Sequence, residues 1–221
     1  MNLPDALLDE AWYWTAWAVW LPLFVLSVRR APWERLKDSG QSHLWWGMIV
    51  VLVLLWSLVA GVKPGLSLHL LGATVFTLCF GPHFAFIGLS LVVAGVAFNG
   101  AGGWMSFALN ALLMGGVGVA SSYGIFRLVD RWLPRHFFVY VFVNGFFGAA
   151  LAVLAVGVVA IPVLALAGAY SFEYLLEEYL PYFLLLGFSE AWLSGMVMTL
   201  FVIYRPEWVA TFDDSRYLAN K

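Results

Sequence analysis

Residues 66–98 read LSLHLLGATVFTLCFGPHFAFIGLSLVVAGVAF and contain no Asp, Glu, Lys or Arg. Two apolar runs of about 15 residues each, 66–80 and 84–98, are joined by Gly81-Pro82-His83. Long uncharged runs are typical of segments that lie in the hydrocarbon core of a bilayer, where a complete helical crossing takes about 20 residues. We interpret the stretch as two short membrane segments separated by a turn.

The remainder of the chain has the same character. Of its 221 residues, 63% are hydrophobic and 11% are charged, whereas soluble domains contain about 25% charged residues. So few charges cannot cover a water-exposed surface. We predict an all-α, polytopic membrane bundle that forms a single transmembrane domain over residues 1–221. With the two runs above it has seven transmembrane helices, the other five being 11–28, 44–62, 105–126, 137–168 and 180–204.

The basic residues indicate an orientation. If the amino terminus is outside, ten of the eleven Lys and Arg residues fall in inner connections or the tail, and only Lys63 lies outside. This asymmetry follows the positive-inside rule, and six or eight spans would scatter the charges over both faces. We expect an external segment at 1–10 and a cytoplasmic tail at 205–221. The outer face would then carry an acidic rim that favours cations, formed by Asp5, Asp9, Glu10, Glu173, Glu177 and Glu178. The alternative is that the outer loops simply lack Lys and Arg.

Several classes of function are disfavoured. A net charge of −2 does not suggest a nucleic-acid partner, and the single cysteine, Cys79, allows no intramolecular disulfide. The sequence has no motif typical of hydrolases or nucleotide-binding proteins, so we expect neither an enzyme nor an organic cofactor. The acidic start is unlike a secretory signal, and we expect Met1 to remain as the first residue.

Polar residues at membrane depth are candidates for function because they cost free energy there. His69 could bind a metal, shuttle a proton or bond to a neighbouring helix. Asn110 is explained by an interhelical hydrogen bond, and Asn144 by helix packing. Glu190 could be protonated, paired with a cation or part of a coupling element. Ser189 completes the set.

Four motifs in register resemble a known family. They include SLHLLGATVFTLCFGP at 67–82, NGAGGWMSFALNALLMGGVG at 99–118, GFSEAWLSG at 187–195 and the MNLPDA start. The chain resembles the CbiM/NikM family, the substrate-capture membrane subunits of cobalt and nickel energy-coupling-factor transporters. The resemblance implies seven spans, an outer amino terminus whose first residues fold into the bundle, and a bacterial plasma membrane, which is the inner membrane in a Gram-negative cell. It also implies a membrane coupling subunit and a cytoplasmic ATPase as partners.

The resemblance further implies a metal held by nitrogen atoms. In the family these are the Met1 amine, the backbone nitrogen and imidazole of a His at position two, and the His of the HLLG segment, which corresponds to His69. Such donors suit the square-planar preference of Ni(II) or Cu(II). Asn110 and Glu190 correspond to the family's Asn near the site and to the acid of its last span.

The chain also departs from the family pattern. Asn2 replaces the second-position His, so one strong nitrogen donor is missing, and further departures occur at Ala6, Ala101 and Leu113. The site could use Met1, Asn2 and His69, with the thioether of Met114 favouring a softer ion such as copper. It could also bind nickel or cobalt weakly, or have lost the metal.

Two principal functions follow from these expectations. The first is a substrate-binding component for transition-metal uptake that works with partner subunits. The alternative is a non-transporting membrane subunit for assembly or metal delivery on the same fold. A membrane enzyme is a third and weaker hypothesis.

Overall fold

The computed structural model describes residues 2–58, 60–61, 63 and 66–217. Six long helices dominate it: α1 (Glu10–Arg30), α2 (Ser39–Ser57), α3 (Ala73–Phe98), α4 (Phe107–Trp132), α5 (Phe137–Leu166) and α6 (Phe172–Tyr204). A two-residue strand pair, β1 (Ala60–Gly61) with β2 (Ser67–Leu68), lies between α2 and α3. Short helical turns occupy Trp33–Lys37, Pro206–Trp208 and Asp214–Tyr217.

The predicted all-α membrane fold is confirmed. Within the described residues, six helices are long and apolar enough to cross a membrane. Seven such segments were expected. The two short ones, 66–80 and 84–98, fall on α3 and on residues 66–72 before it, which are not helical and include the strand Ser67–Leu68. The expected segment at 180–204 begins earlier, at Phe172, and the long segment with Pro162 stays helical to Leu166.

A break at Gly81 divides α3 into two halves that pack against each other. Gly81 has φ 78° and ψ 172°, a conformation that is essentially restricted to glycine. A Cβ placed on Gly88 would lie 2.4 Å from the ring of Phe76. Twelve residues of continuous helix would separate these positions by about 18 Å, so residues 73–80 and 82–98 form a hairpin with its turn at Gly81-Pro82.

This hairpin is the centre of the bundle. In α3, 78% of an 18-residue stretch is buried, compared with 22% in α1 and 44% in α4. A helix that is apolar on every side is stable when other helices surround it. The remaining long helices therefore face lipid more than α3 does.

The chain that follows α6 closes the turn end of the hairpin. The backbone N–H groups of Ala210 and Thr211 donate to the carbonyls of Cys79 and Leu78, at 3.0 and 3.2 Å. The Thr211 hydroxyl donates to the same Leu78 carbonyl at 2.8 Å and lies 2.6 Å from the Tyr140 hydroxyl. Carbonyls at a helix end lack hydrogen-bond donors inside the helix. Ala210 and Thr211 provide the missing donors here. We call residues 209–212 the carboxyl-terminal strap.

Charges separate between the two ends of the bundle. At the turn end, Arg35 approaches the carbonyl of Glu207 and the ring of Phe80, and Arg216 pairs with Asp130 at 2.8 Å. The basic residues of several connections thus meet at this end, which we call the basic end. The opposite end holds Asp5 and the acidic residues that begin α1 and α6.

Candidate metal-binding site

The segment before α1 is held inside the bundle by paired hydrogen bonds. Leu3 is 1% exposed; its N–H donates to Asn110 Oδ1 at 2.9 Å, and its carbonyl accepts from Asn110 Nδ2 at 3.1 Å. The buried Tyr13 hydroxyl donates to the Pro4 carbonyl at 2.8 Å and accepts from the Leu8 N–H at 3.0 Å. One side chain from α4 and one from α1 therefore fix the path of this segment.

Asp5 fastens the same segment to the loop before α4. Its Oδ1 accepts the backbone N–H of Ser106 at 2.8 Å. A Cβ on Gly103 would overlap the Asp5 carboxylate, at 1.7 Å, so the contact needs glycine there. Partial burial alone would raise the pKa of Asp5, but the hydrogen bonds from Ser106 and its neighbours outweigh it and lower the pKa.

Both nitrogen atoms of Asn2 contact the protein. Its backbone N–H donates to Ser67 Oγ at 3.2 Å, and its side-chain Nδ2 lies 3.5 Å from the carbonyl of Trp56. In the family pattern this backbone nitrogen binds the metal. Here its hydrogen is engaged in the bond to Ser67 Oγ. Met1, the other expected donor at the start, lies outside the described residues.

His69 presents a buried ring nitrogen with no partner. Its Nδ1 lies 3.1 Å from the Leu70 carbonyl; because a carbonyl only accepts, Nδ1 carries the proton and Nε2 keeps its lone pair. Nε2 is buried and has no hydrogen-bond partner in the part of the chain that the structure describes. The ring packs on Trp56 with centroids 4.6 Å apart. A histidine whose second nitrogen donates to a carbonyl is the usual arrangement of a metal ligand.

A small cavity lies beside His69. Its volume is about 10 Å³, close to the least that holds one water molecule. Met114 lines it together with apolar residues of α5 and α6, and Met114 is itself fully buried. The cavity is about the size of one water molecule, and apart from the His69 ring and the Met114 thioether its side chains are apolar.

Glu190 holds the turn that follows His69. Its two carboxylate oxygens accept the backbone N–H groups of Leu71 and Gly72, at 2.7 and 2.6 Å, and Ser194 Oγ lies 3.5 Å from Oε1. Gly72 has φ 66° and precedes the first turn of α3. A carboxylate at this position is favoured by the partial positive charge of a helix start. Glu190 therefore positions the backbone near His69.

The structure brings most of the expected site residues into one region. Asn2 and His69 both contact Trp56, Met114 lines the cavity next to His69, and Asn110 reaches the region through Leu3. No cluster of three or more His, Cys, Asp or Glu side chains suited to a metal occurs within the described residues. Two contributors were missed in the sequence, Ser67 and Trp56, because a hydroxyl and an indole near a span end carry no distinctive signal.

Comparisons with known proteins agree with this architecture. A crystal structure described as a truncated transition metal transporter is 19% identical, covers 92% of this chain and 99% of its own, and has a TM-score of 0.81. A second, described as a transition metal transporter, is also 19% identical, covers 90% and 91%, and has a TM-score of 0.77. At this identity the likeness shows the fold alone. No protein of curated function matches the chain in sequence.

A family profile covers nearly the whole chain. The cobalt uptake substrate-specific transmembrane region, CbiM, matches residues 2–208. The match spans all six long helices and every described residue of the candidate site. The chain therefore belongs to the CbiM family of membrane transport proteins.

Proposed function

We propose that the chain captures a transition-metal ion from outside the cell as the substrate-binding subunit of an uptake system. One observation carries the proposal: His69 Nε2 is buried, has no hydrogen-bond partner among the described residues, and belongs to a ring packed on Trp56, the residue that Asn2 also contacts. His69 is the central ligand, and Met1 and Asn2 complete the donor set from the amino-terminal segment. Met114 offers a thioether, which would favour copper, whereas the family suggests nickel or cobalt.

The proposed arrangement in the membrane has seven crossings, the amino terminus outside and the carboxyl terminus inside. The hairpin within α3 supports this count, since its halves run in opposite directions on either side of Gly81. The gathering of Arg and Lys at the basic end supports an inner location for that end. Release of the ion would require a membrane coupling subunit and a cytoplasmic ATPase, and the cell would be bacterial.

A second candidate function is a membrane subunit for assembly or metal delivery, in which the site is altered or lost. The backbone of Asn2 favours it, because the backbone nitrogen, which would bind the metal in the family pattern, donates its hydrogen to Ser67 Oγ. The family membership and the His69 geometry together favour the first function.

Metal analysis of the purified protein separates these functions. His69→Phe keeps a ring against Trp56 but removes Nε2, and we expect it to lose bound Ni, Co or Cu. His43→Phe, at an exposed histidine of α2, serves as the matched control and should retain the metal. Equal metal content in wild type and His69→Phe would overturn the site.

The amino-terminal contribution is tested separately. Asn2→His adds an imidazole and should strengthen Ni(II) binding, measured by calorimetry, while chemical blocking of the Met1 amine should weaken it. If neither change alters affinity, the start of the chain does not reach the metal.

A further inference from the structure

A second cavity opens at the basic end of the bundle, beside the turn of the α3 hairpin. Its volume is about 630 Å³, far larger than the space near His69. The α1–α2 connection supplies Arg35, the hairpin turn supplies His83, α4 supplies Tyr123, and the chain after α6 supplies Asp213 and Arg216. Four separate parts of the sequence therefore build it.

Arg35 brings a positive charge into this cavity with no carboxylate to balance it. Its guanidinium is half-buried and bonds to neutral acceptors: the Gln41 side chain at 3.1 Å and the carbonyls of Glu207 and Trp208 at 3.4 Å. No carboxylate of the described residues forms an ion pair with it. Burial lowers its pKa, as expected for a cation partly removed from water. A half-buried charge of this kind is stabilised by an anion.

The other charges around the cavity leave it positive. Asp130 is shared by two guanidiniums, those of Arg216 at 2.8 Å and Arg135 at 3.3 Å. Asp213 is the acid that lines the cavity, and it accepts from the N–H and hydroxyl of Ser215. The cavity lining thus holds two guanidiniums, Arg35 and Arg216, against one carboxylate, Asp213, and His83 adds a ring nitrogen.

Exposed tryptophans place the cavity at the level of lipid headgroups. Trp33 and Trp132 are 45% and 73% exposed. Trp33 lies between Pro32 and Arg35, which line the cavity, and Trp132 is the last residue of α4, which supplies Tyr123 and Phe126 to it. Tryptophan is enriched where hydrocarbon meets water. Basic pockets between membrane helices at this level bind the headgroups of anionic lipids.

We propose that this cavity binds the phosphate of an anionic phospholipid against Arg35 and Arg216. His83 and the Tyr123 hydroxyl provide additional hydrogen bonds to the phosphate oxygens. Because the strap forms one wall, a bound lipid also ties the α1–α2 connection to the chain after α6. The lipid-binding proposal does not rest on the proposed metal-binding function.

Binding is tested with the full chain purified in detergent and titrated with short-chain phosphatidylglycerol, phosphatidylcholine or inorganic phosphate. We expect phosphatidylglycerol to bind at least about tenfold more tightly than phosphatidylcholine, by calorimetry or native mass spectrometry. Equal affinity for both lipids would overturn the proposal. If inorganic phosphate binds as tightly as phosphatidylglycerol, the cavity recognises free phosphate and the proposal of a lipid ligand is wrong.

Variants locate the site. Arg216→Gln and Arg35→Gln should each reduce the preference for phosphatidylglycerol by roughly tenfold, since each removes a charge-assisted hydrogen bond. Arg35→Lys keeps the positive charge and should retain most of the preference, which separates the loss of charge from a general loss of folding.

Lys37→Gln is the matched control, because Lys37 pairs with Glu34 in the same connection but does not line the cavity. A preference that survives Arg35→Gln and Arg216→Gln, or that Lys37→Gln reduces equally, would contradict the proposal; the second result would indicate attraction to general surface charge.

Discussion

The side-chain amide of Asn110 bonds to both backbone polar groups of Leu3, and the carboxylate of Glu190 bonds to two successive N–H groups near His69. Both polar side chains thus satisfy buried backbone rather than a ligand. Unsatisfied backbone groups are costly away from water, so these bonds fix the local path of the chain. His69 differs from them, because its Nε2 has no such partner among the described residues.

Substituting Asn110 tests this role at the scale of one residue. Asn110→Ala leaves the N–H and carbonyl of Leu3 buried without partners, and we expect unfolding in detergent to require about 1–3 kcal/mol less free energy. Cleavage of the amino-terminal segment by protease should also accelerate. Asn99→Ala is the matched control, since Asn99 is exposed and its amide has only a 3.5 Å contact with Ser57. Identical behaviour of the two variants would contradict the docking role of Asn110.

At the scale of elements, the hairpin depends on the backbone of Gly81. The residues before it form only about two turns of helix, and residues 82–98 return alongside them. This places the carbonyls of Leu78 and Cys79 at an open helix end, which the strap then satisfies. The first half of the hairpin is stabilised at both ends, because Glu190 bonds to the N–H groups before it and the strap bonds to its last carbonyls.

Gly81→Ala isolates the backbone contribution. A Cβ at Gly81 would meet no atom within 4 Å, so the expected loss of about 1–3 kcal/mol in unfolding free energy comes from the unfavourable φ and ψ. Gly124→Ala, in α4, is equally free of contacts and is helical, so it should be neutral or stabilising by up to about 1 kcal/mol. Unfolding measurements on both proteins compare the two effects, and an equal result would show that the turn does not require glycine.

At the scale of the whole molecule, α6 and its continuation hold the first half of α3 at both ends. Glu190 bonds to the backbone before residue 73, and Ala210 and Thr211 bond to the carbonyls near residue 79. Displacement of α6 would therefore act on the backbone next to His69 and on the strap together. This arrangement gives the basic end of the molecule a physical connection to the candidate metal site.

The single cysteine reports on the strap. Cys79 is fully buried, and Thr211→Val removes the hydroxyl bonded to the Leu78 carbonyl. The same change leaves the Tyr140 hydroxyl without Thr211 as its partner. We expect a roughly five- to hundredfold faster reaction of Cys79 with a maleimide, because two hydrogen bonds of about 0.5–1.5 kcal/mol each no longer oppose local opening. Thr199→Val is the control, since its hydroxyl bonds only to Gly195 within α6. Equal labelling rates in the two variants would show that the strap does not cover Cys79.

Much of the fold could be predicted because apolar runs and charges are properties of local sequence. The membrane class, the all-α character and the approximate helix bounds followed from the uncharged runs and their spacing. The two short runs around Gly81-Pro82-His83 indicated a turn, but their length could not show that one is helical only from Ala73. His69, Asn110 and Glu190 were identified as candidates because polar groups at membrane depth are few, and Met114 because it falls in the motif that resembles the family.

The sequence by itself determined that this protein lies in a bilayer, that its basic residues gather at one end and that few polar groups enter its core. Only the tertiary structure decided what those groups bond to. Asn110 meets a residue 107 positions away, Glu190 one 119 positions away and Thr211 one 133 positions away. Hydropathy and charge are set by neighbours along the chain, whereas the partner of a buried polar atom is set by the packing of helices that are distant in sequence. For this reason the sequence predicted Asn110 and Glu190 as candidates near the site, whereas the fold shows Asn110 bonded to the backbone of Leu3 and Glu190 bonded to the backbone that follows His69.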